Sequence, residues 1–304
     1  MKGQRDRVSL RRQLPLHLMI LPAVILVFIF SYIPMYGIII AFQKFSPAMG
    51  LFGRQKWVGL KNFQYIFDMP NFPLVLRNTI TIAIQKIVFS FLVNVAVALL
   101  INEIRSKAYA RTVQSIVHFP HFISWIIMSS ILLDILSPSR GLVNKIIQTL
   151  GFKSVYFLGD KFVFQKTIVW TSIWKEFGFG TIIYLSAITG VDEELYEAAK
   201  IDGANRWQQV WHVTLPGMKP VMVVMLILSL GGVLNAGFDQ IYNLLNSAVM
   251  DTGDILDTLV YRLGLINYQY SYGTALGLFK SLISMILISG SYYFAYKYFD
   301  YRLF

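Results

Sequence analysis

Apolar residues in this chain fall into blocks too long for the interior of a soluble domain. A helix rising 1.5 Å per residue needs roughly 20 apolar residues to cross about 30 Å of hydrocarbon. Six stretches reach that length: Leu16–Phe42, Asn78–Ile101, Val113–Leu136, Phe162–Ile188, Val221–Leu245 and Ala275–Tyr298. The pattern predicts an all-α membrane protein with six transmembrane helices. No Gly/Ser-rich or Pro-rich linker and no internal repeat divides the chain, so a single membrane domain is expected over residues 1–304. Within it lie an N-terminal span (16–42), an outer loop (43–76), a core (77–298) and a polar loop (190–220).

The polar positions between the blocks set orientation. Lys2, Arg5, Arg7, Arg11 and Arg12 precede the first block, and Arg105, Lys107, Arg111, Lys200, Arg206, Lys219, Lys297 and Arg302 fall on the same side. The opposite loops are longer and their basic residues more dilute: Lys44, Arg54, Lys56, Lys61, Arg140, Lys145, Lys153, Lys161 and Arg262. Retention of positive charge inside predicts that both termini are cytoplasmic. The basic head resembles the start of a signal peptide, but the apolar run after it is too long and no A-x-A site follows, so an uncleaved first span is expected.

Pro22 and Pro34 should bend that span. Trp57, Phe63, Tyr65, Phe67 and Phe72 make the outer loop aromatic enough to fold as an extracytoplasmic collar. From Gly141 to Gly151 the sequence GLVNKIIQTLG places Leu142, Ile146 and Leu150 on one face, which predicts a short amphipathic helix at the outer interface.

Composition narrows the classes further. Charged residues make up 14% of the chain, against about 25% in soluble domains, while 56% are apolar and 15% aromatic. The net charge of +11 is scattered over short loops rather than drawn into a stripe, which argues against nucleic acid. With no cysteine, disulfides, thiolate metal sites, iron–sulfur clusters and cysteine nucleophiles are excluded. No G-x-x-x-x-G-K-[ST] occurs, so the chain has no Walker loop for nucleotide phosphates.

The loop before the fifth block is the most structured polar passage. Asp192, Glu193 and Glu194 suit a helix start and Gly203 a helix end, while Ala198, Ala199 and Gly203 leave one flank without bulk. Such a flank admits close approach of a partner, with Glu197 beside it to meet a cation. Trp207 and Trp211, one turn apart, can anchor at headgroup level before Leu215-Pro216 re-enters lipid. A plain solvated connection is the simpler alternative.

The spacing decides between them. Glu197-Ala198-Ala199, then Gly203, Val213 and Leu215-Pro216, reproduces the cytoplasmic signature of ABC importer permeases: EAA, three residues, Gly, nine residues, Ile, one residue, Leu-Pro, with Val for Ile. The chain thus resembles the binding-protein-dependent transport system inner membrane component family. Further segments resemble its oligosaccharide branch, including permeases for alginate or pectin oligomers: Arg77–Thr79, Phe119–Pro120, Gly141–Gly151, Phe238–Tyr242 and Tyr272–Leu278. The likeness runs from about Arg77 to the C-terminus.

The resemblance implies a type I ABC importer permease fold in the bacterial cytoplasmic (inner) membrane. It implies a coupling helix seated in an ATPase cleft, with Glu197, Ala198, Ala199, Asp202, Gly203, Leu215 and Pro216 as coupling residues and Glu197 paired with an ATPase arginine. The partners implied are a second homologous permease, two ATPase subunits, an extracytoplasmic solute-binding protein and the lipid bilayer, with an oligosaccharide as cargo. No catalytic residue, metal or cofactor is expected in this chain. ATP and Mg2+ belong to the ATPase, and the chain itself is a transport subunit, not an enzyme.

Polar residues inside apolar blocks are candidate pathway residues, because a charge at mid-bilayer costs about 2.5–3.5 kcal/mol. Lys86, Lys175, Glu176, Asp239 and Lys280 are the main ones, and Lys86, Lys175 and Lys280 would suit carboxylates on cargo. Lys175 and Glu176 are adjacent and are not expected to pair. Trp174 and Glu176 could line a sugar cavity, or Glu176 could bond a partner. Gly231-Gly232 and Gly237 break the fifth block, after which Asn235, Asp239, Tyr242, Asn243 and Asn246 recur every three or four residues as one wet face. That face could bind sugar or cement helices together. The substrate pathway is therefore expected at Trp174, Glu176, Asn235, Asp239, Tyr242, Asn243 and Lys280. His118 and His121, with Pro120 between them and no third ligand near, point to packing rather than zinc. The intramembrane charges alone would also fit a self-sufficient secondary transporter or channel. A membrane enzyme using His118, His121 and Glu176 lacks a nucleophile and base at a recognised spacing.

Overall fold

The computed structural model describes residues 10–299. Lys2, Arg5, Arg7 and Arg302, which contribute to the expected orientation, lie outside the described residues. The first helix runs from Leu10 to Val27, widens through a π turn at Phe28–Tyr32 and tightens into a 3-10 helix over Ile33–Phe42. Pro34 sits at the start of the 3-10 portion, where its missing amide donor is tolerated.

Among the described residues, four helices are long and apolar enough to cross a membrane: Leu14–Phe42, Phe72–Asn102, Arg206–Leu230 and Tyr270–Phe294. A fifth span arises if Lys107–Phe122 and Trp125–Ile135, which meet at 99°, are one broken crossing. The expected third span, Val113–Leu136, is therefore not a straight helix. Pro120 removes a donor, Ile123 turns extended, and the Ser124 side chain accepts the amide of Ile127 to start a new helix. Gly178 lets the neighbouring helix press against the bend, since a Cβ there would lie 2.0 Å from the Val117 carbonyl oxygen. That neighbour, Lys161–Thr189, is 29 residues long and packs along Phe72–Asn102. Lys175 and Glu176 at its middle make it less apolar than the other long helices.

The expected fifth span, Val221–Leu245, is displaced. The helix begins at Arg206, passes through a π turn at Val210–Thr214 just ahead of Pro216, and ends at Leu230. Gly231 stops it where a Cβ would press on the Ile288 side chain at 2.5 Å. The chain then turns through Gly237, at φ +97°, into a separate short helix, Phe238–Leu244. Polar residues over 205–219 hide the early start, because the helix there is largely solvent-facing and carries no apolar block.

The outer loop does fold. Gln43–Lys44 pairs antiparallel with Lys56–Trp57. The buried Asn62 side chain donates to the carbonyls of Ala41 (2.8 Å) and Gln43 (3.0 Å). Phe42 stacks on Trp57, and Tyr65 stacks on Tyr272 with centroids 4.1 Å apart, tying the collar to the last helix. The short outer helix forms over Leu142–Thr149, held by the buried Asn144, which donates to Leu136, Ser137 and Val155 carbonyls. Leu142, Ile146 and Leu150 remain exposed.

Candidate functional site: coupling loop and transmembrane cleft

The helix Glu193–Ile201 is built from local chemistry. Asp192 Oδ1 accepts the Glu194 amide at 3.0 Å, and Glu193, Glu194 and Lys200 complement the helix dipole at its two ends. At the C-terminus the amide of Ala204 donates to Ala199 O (2.9 Å) and that of Gly203 to Lys200 O (3.1 Å), with Gly203 at φ +78°. This reciprocal pair is a Schellman stop, which needs the left-handed conformation that glycine adopts freely. Asn205 and Gln208 then cap the next helix with a reciprocal capping box.

Ala199, Asp202 and Gly203 come together in a shallow groove of about 300 Å3, completed by Ala204, Gln208, His212 and Val213. Glu197 and Ala198 are exposed beside it. The helix touches the rest of the chain mainly through the π turn, where Tyr196 Oη donates to the buried Thr214 Oγ1 at 2.9 Å. Leu215 packs inward with Ile188 and Met218, whereas Pro216 is exposed. Trp207 and Trp211 are exposed and meet edge to face at 6.0 Å, and Arg206 bonds Glu103 at 2.7 Å.

Four of the five charges singled out within the apolar blocks, Lys86, Lys175, Glu176 and Lys280, have side-chain partners. Lys175 Nζ donates to Glu176 Oε1 and to the His121 carbonyl, both at 2.9 Å, and Glu176 Oε2 meets His121 Nδ1 at 2.6 Å. The expectation that Lys175 and Glu176 would not pair is thus corrected: the lysine is long enough to curl around the helix, and His121, brought in by the bend, gathers both groups. His121 stacks on Phe179 at 4.3 Å. Trp174 and Glu176 do not share a face, since two residues along a helix of 3.6 per turn turn through about 200°.

Lys86 Nζ donates to Ala236 O (2.7 Å) and Gln240 Oε1 (2.6 Å), and Gln240 Nε2 donates on to Ile168 O (2.8 Å) and Thr171 Oγ1 (2.9 Å). This network anchors the break after Leu230. The expected single wet face is divided by the break. Asn235 lies in the turn, Asn243 donates to its own helix at Asp239 O, and Asn246 donates to Leu158 O while its Oδ1 caps Ala248. Asp239 and Tyr242 are exposed.

Asn235 and Lys280 do converge. They line an open cleft of roughly 1020 Å3 together with Phe238, Asp257, Tyr261 and Tyr270, and Lys280 Nζ bonds Asp257 Oδ1. Phe238, Tyr242 and Tyr261 form an aromatic cluster with centroids 4.8–5.4 Å apart.

The family model for the binding-protein-dependent transport system inner membrane component matches residues 87–304. The chain belongs to this family. Protein LplB of Bacillus subtilis (strain 168) is 42% identical over 98% of this chain and 93% of its own length. The polygalacturonan/rhamnogalacturonan transport system permease protein YteP of the same organism is 44% identical over 94% of this chain and 89% of its own. A crystal structure of a bacterial ABC transporter involved in the import of the acidic polysaccharide alginate superposes with a TM-score of 0.88 at 35% identity, covering 97% of this chain and 99% of that one. A crystal structure of a bacterial alginate ABC transporter in complex with an alginate pentasaccharide-bound periplasmic protein superposes with a TM-score of 0.86 at 35% identity, covering 96% of this chain and 97% of that one.

For this inner membrane component of an ABC transporter, sequence reasoning missed Asp257, Tyr261 and Phe238 at the cleft. A signal existed for the first. Asp251, Asp254 and Asp257 recur every three residues, and each meets a different cation: Lys161, Arg262 and Lys280.

Proposed function

We infer that this family member is the permease subunit of an ATP-driven importer of oligosaccharides, acidic polysaccharide fragments being the cargo class suggested by its relatives. The observation that carries the coupling role is the Schellman-stopped helix Glu193–Ile201, which presents Glu197, Ala198 and the Ala199–Gly203 groove at the surface with few ties to the rest of the chain. In this reading the groove seats an ATPase element, Glu197 pairs with an arginine on it, and Pro216 borders the contact. Leu215 contributes from behind, by packing the base of the helix. ATP and Mg2+ sit on two ATPase subunits, and closure of the ATPase dimer moves the coupling helix as a unit. The cavity then alternates between inward and outward access.

A second, homologous but different permease completes the pathway, and an extracytoplasmic solute-binding protein delivers the cargo. Counting the bent pair and Lys161–Thr189 with the four apolar helices makes six spans with both termini cytoplasmic. Asn235 and Lys280 are assigned to the cargo cleft, where Phe238 and Tyr261 supply aromatic faces. Glu176, Asp239, Tyr242 and Asn243 stand as secondary pathway candidates, and Trp174 faces elsewhere.

Gly203→Asp or Glu197→Arg in the assembled importer should abolish uptake while membrane insertion and permease pairing persist. Uptake at the wild-type rate by either variant would sink the coupling assignment.

A further inference from the structure

Lys86, Lys175 and Lys280, each well inside a long helix, are engaged within the chain: Lys86 by Gln240 and a carbonyl, Lys175 by Glu176 and a carbonyl, and Lys280 by Asp257. Only the last pair lines the large cleft, and among the described residues Asp257 and Lys280 are its only charged lining groups. Their side chains are 22% and 15% exposed, so both are partly desolvated. The remaining polar lining is uncharged, with Asn235, Tyr261, Tyr270, Thr274 and Ser281 among it.

We propose that Asp257 is a specificity-determining residue: by neutralising Lys280 it makes this cleft accept uncharged, hydroxyl-bearing stretches of a sugar chain in preference to carboxylates. The inference rests on the cleft being part of the cargo pathway. A carboxylate could take Lys280 only by displacing Asp257, and the displaced aspartate would be left unpaired in a partly desolvated cleft. A sugar hydroxyl meets no such conflict. It can donate to Asp257 and accept from Lys280 while the pair persists. Phe238 and Tyr261 offer flat apolar faces to the C–H side of a sugar ring. Charge selection among acidic cargoes therefore belongs to another component of the importer.

The test uses trigalacturonate and its fully methyl-esterified form, which lacks the charges and carries one added methyl per carboxyl, titrated onto the assembled importer in nanodiscs without its binding protein; the change in their ratio between variants cancels the contribution of the methyl groups. The wild-type complex should bind the ester more tightly. Asp257→Asn frees the cation and should shift the ratio of affinities toward the acid by about tenfold, the scale of one charge contact in a partly screened site. Lys280→Gln should move the ratio the other way, and Asp257→Asn combined with Lys280→Gln should restore the wild-type ratio. Tighter binding of the acid by wild type, or a ratio unmoved by both single variants, overturns the proposal. Gly277 borders the cleft with open space before it, so Gly277→Trp should fill the cleft and weaken both probes. Unchanged binding by that variant removes the cleft from the pathway, and the proposal falls with it. The coupling assignment, tested at Glu197 and Gly203, is untouched by that result.

Discussion

The coupling loop and the stretch that follows its helix are held in place by opposite means. Between Asp192 and Thr214 the bonds that set the backbone are short in sequence. Asp192 caps Glu194, Ala199 receives Ala204, Asn205 and Gln208 cap each other, and Tyr196 reaches Thr214 across 18 positions; among the described residues the one long tie is the exposed Arg206–Glu103 bond, 103 positions apart. Between Gly231 and Ile266 the bonds reach across the molecule. Lys86 holds Ala236 from 150 positions away, Asn78 holds Asp254 from 176, and Thr79 receives the Leu256 amide from 177. A locally bonded element keeps its shape while it moves, which suits a lever. In the proposed coupling role, a segment stitched to distant helices would form part of the frame that the lever works against.

Substitutions can break or sharpen this contrast. The largest effect is expected from Lys86→Met, which leaves Ala236 O and Gln240 Oε1 without their donor and should cost about 2–3 kcal/mol. Chemical denaturation of the purified chain in detergent measures it, and a loss under 0.5 kcal/mol would mean that the break does not depend on its distant anchor.

Next come Gly203 and Gly237, the positive-φ glycine of each region. Gly203→Ala and Gly237→Ala each force a side chain into the left-handed region at about 1–2 kcal/mol. The Gly237 variant should lose more, because its Cβ would lie 2.9 Å from Lys86 Nζ whereas nothing stands within 4 Å at Gly203. Equal losses in paired melts would show that the packing around the break contributes little.

The smallest effect belongs to Arg206→Ala. Its bond to Glu103 is the long-range tie of the coupling loop, but both side chains are exposed, so a change of about 0–0.5 kcal/mol is expected. A loss comparable to that of Lys86→Met would erase the distinction between the two regions.

The coupling loop was legible almost residue by residue because every signal in it is short-range. The acidic first turn, the small flank and Gly203 predict the helix, and Gly203 closes it as expected. Leu215 is the exception within the motif, since its partial burial depends on a cluster that includes Val95, Ala98, Tyr184 and Ile188 from distant helices. The transmembrane polar groups were legible as a set and not as a site. Asn235 and Lys280 do face one cleft, but Glu176 turned out to belong to a cluster with His121, 55 positions away, and Asn246 to a loop contact with Leu158. Hydropathy located Val221–Leu245 as a span because the π turn, the break at Gly231 and the short helix beyond it leave the apolar average unchanged.

By itself the sequence determined the membrane class, the approximate position of most long helices, the folding of the loop after the first helix, and the short helix Glu193–Ile201 with its stop. These follow from transfer of apolar residues out of water and from bonds between residues a turn or two apart, both of which are properties of composition and spacing. Only the tertiary structure decided which polar side chains meet: that Lys86 holds a helix break, that Lys175 is buried against Glu176 and His121, and that Asp257 masks Lys280 in the cleft. A buried charge must find a partner, but helical spacing ranks only near neighbours as candidates. Which distant group answers it depends on how the helices pack.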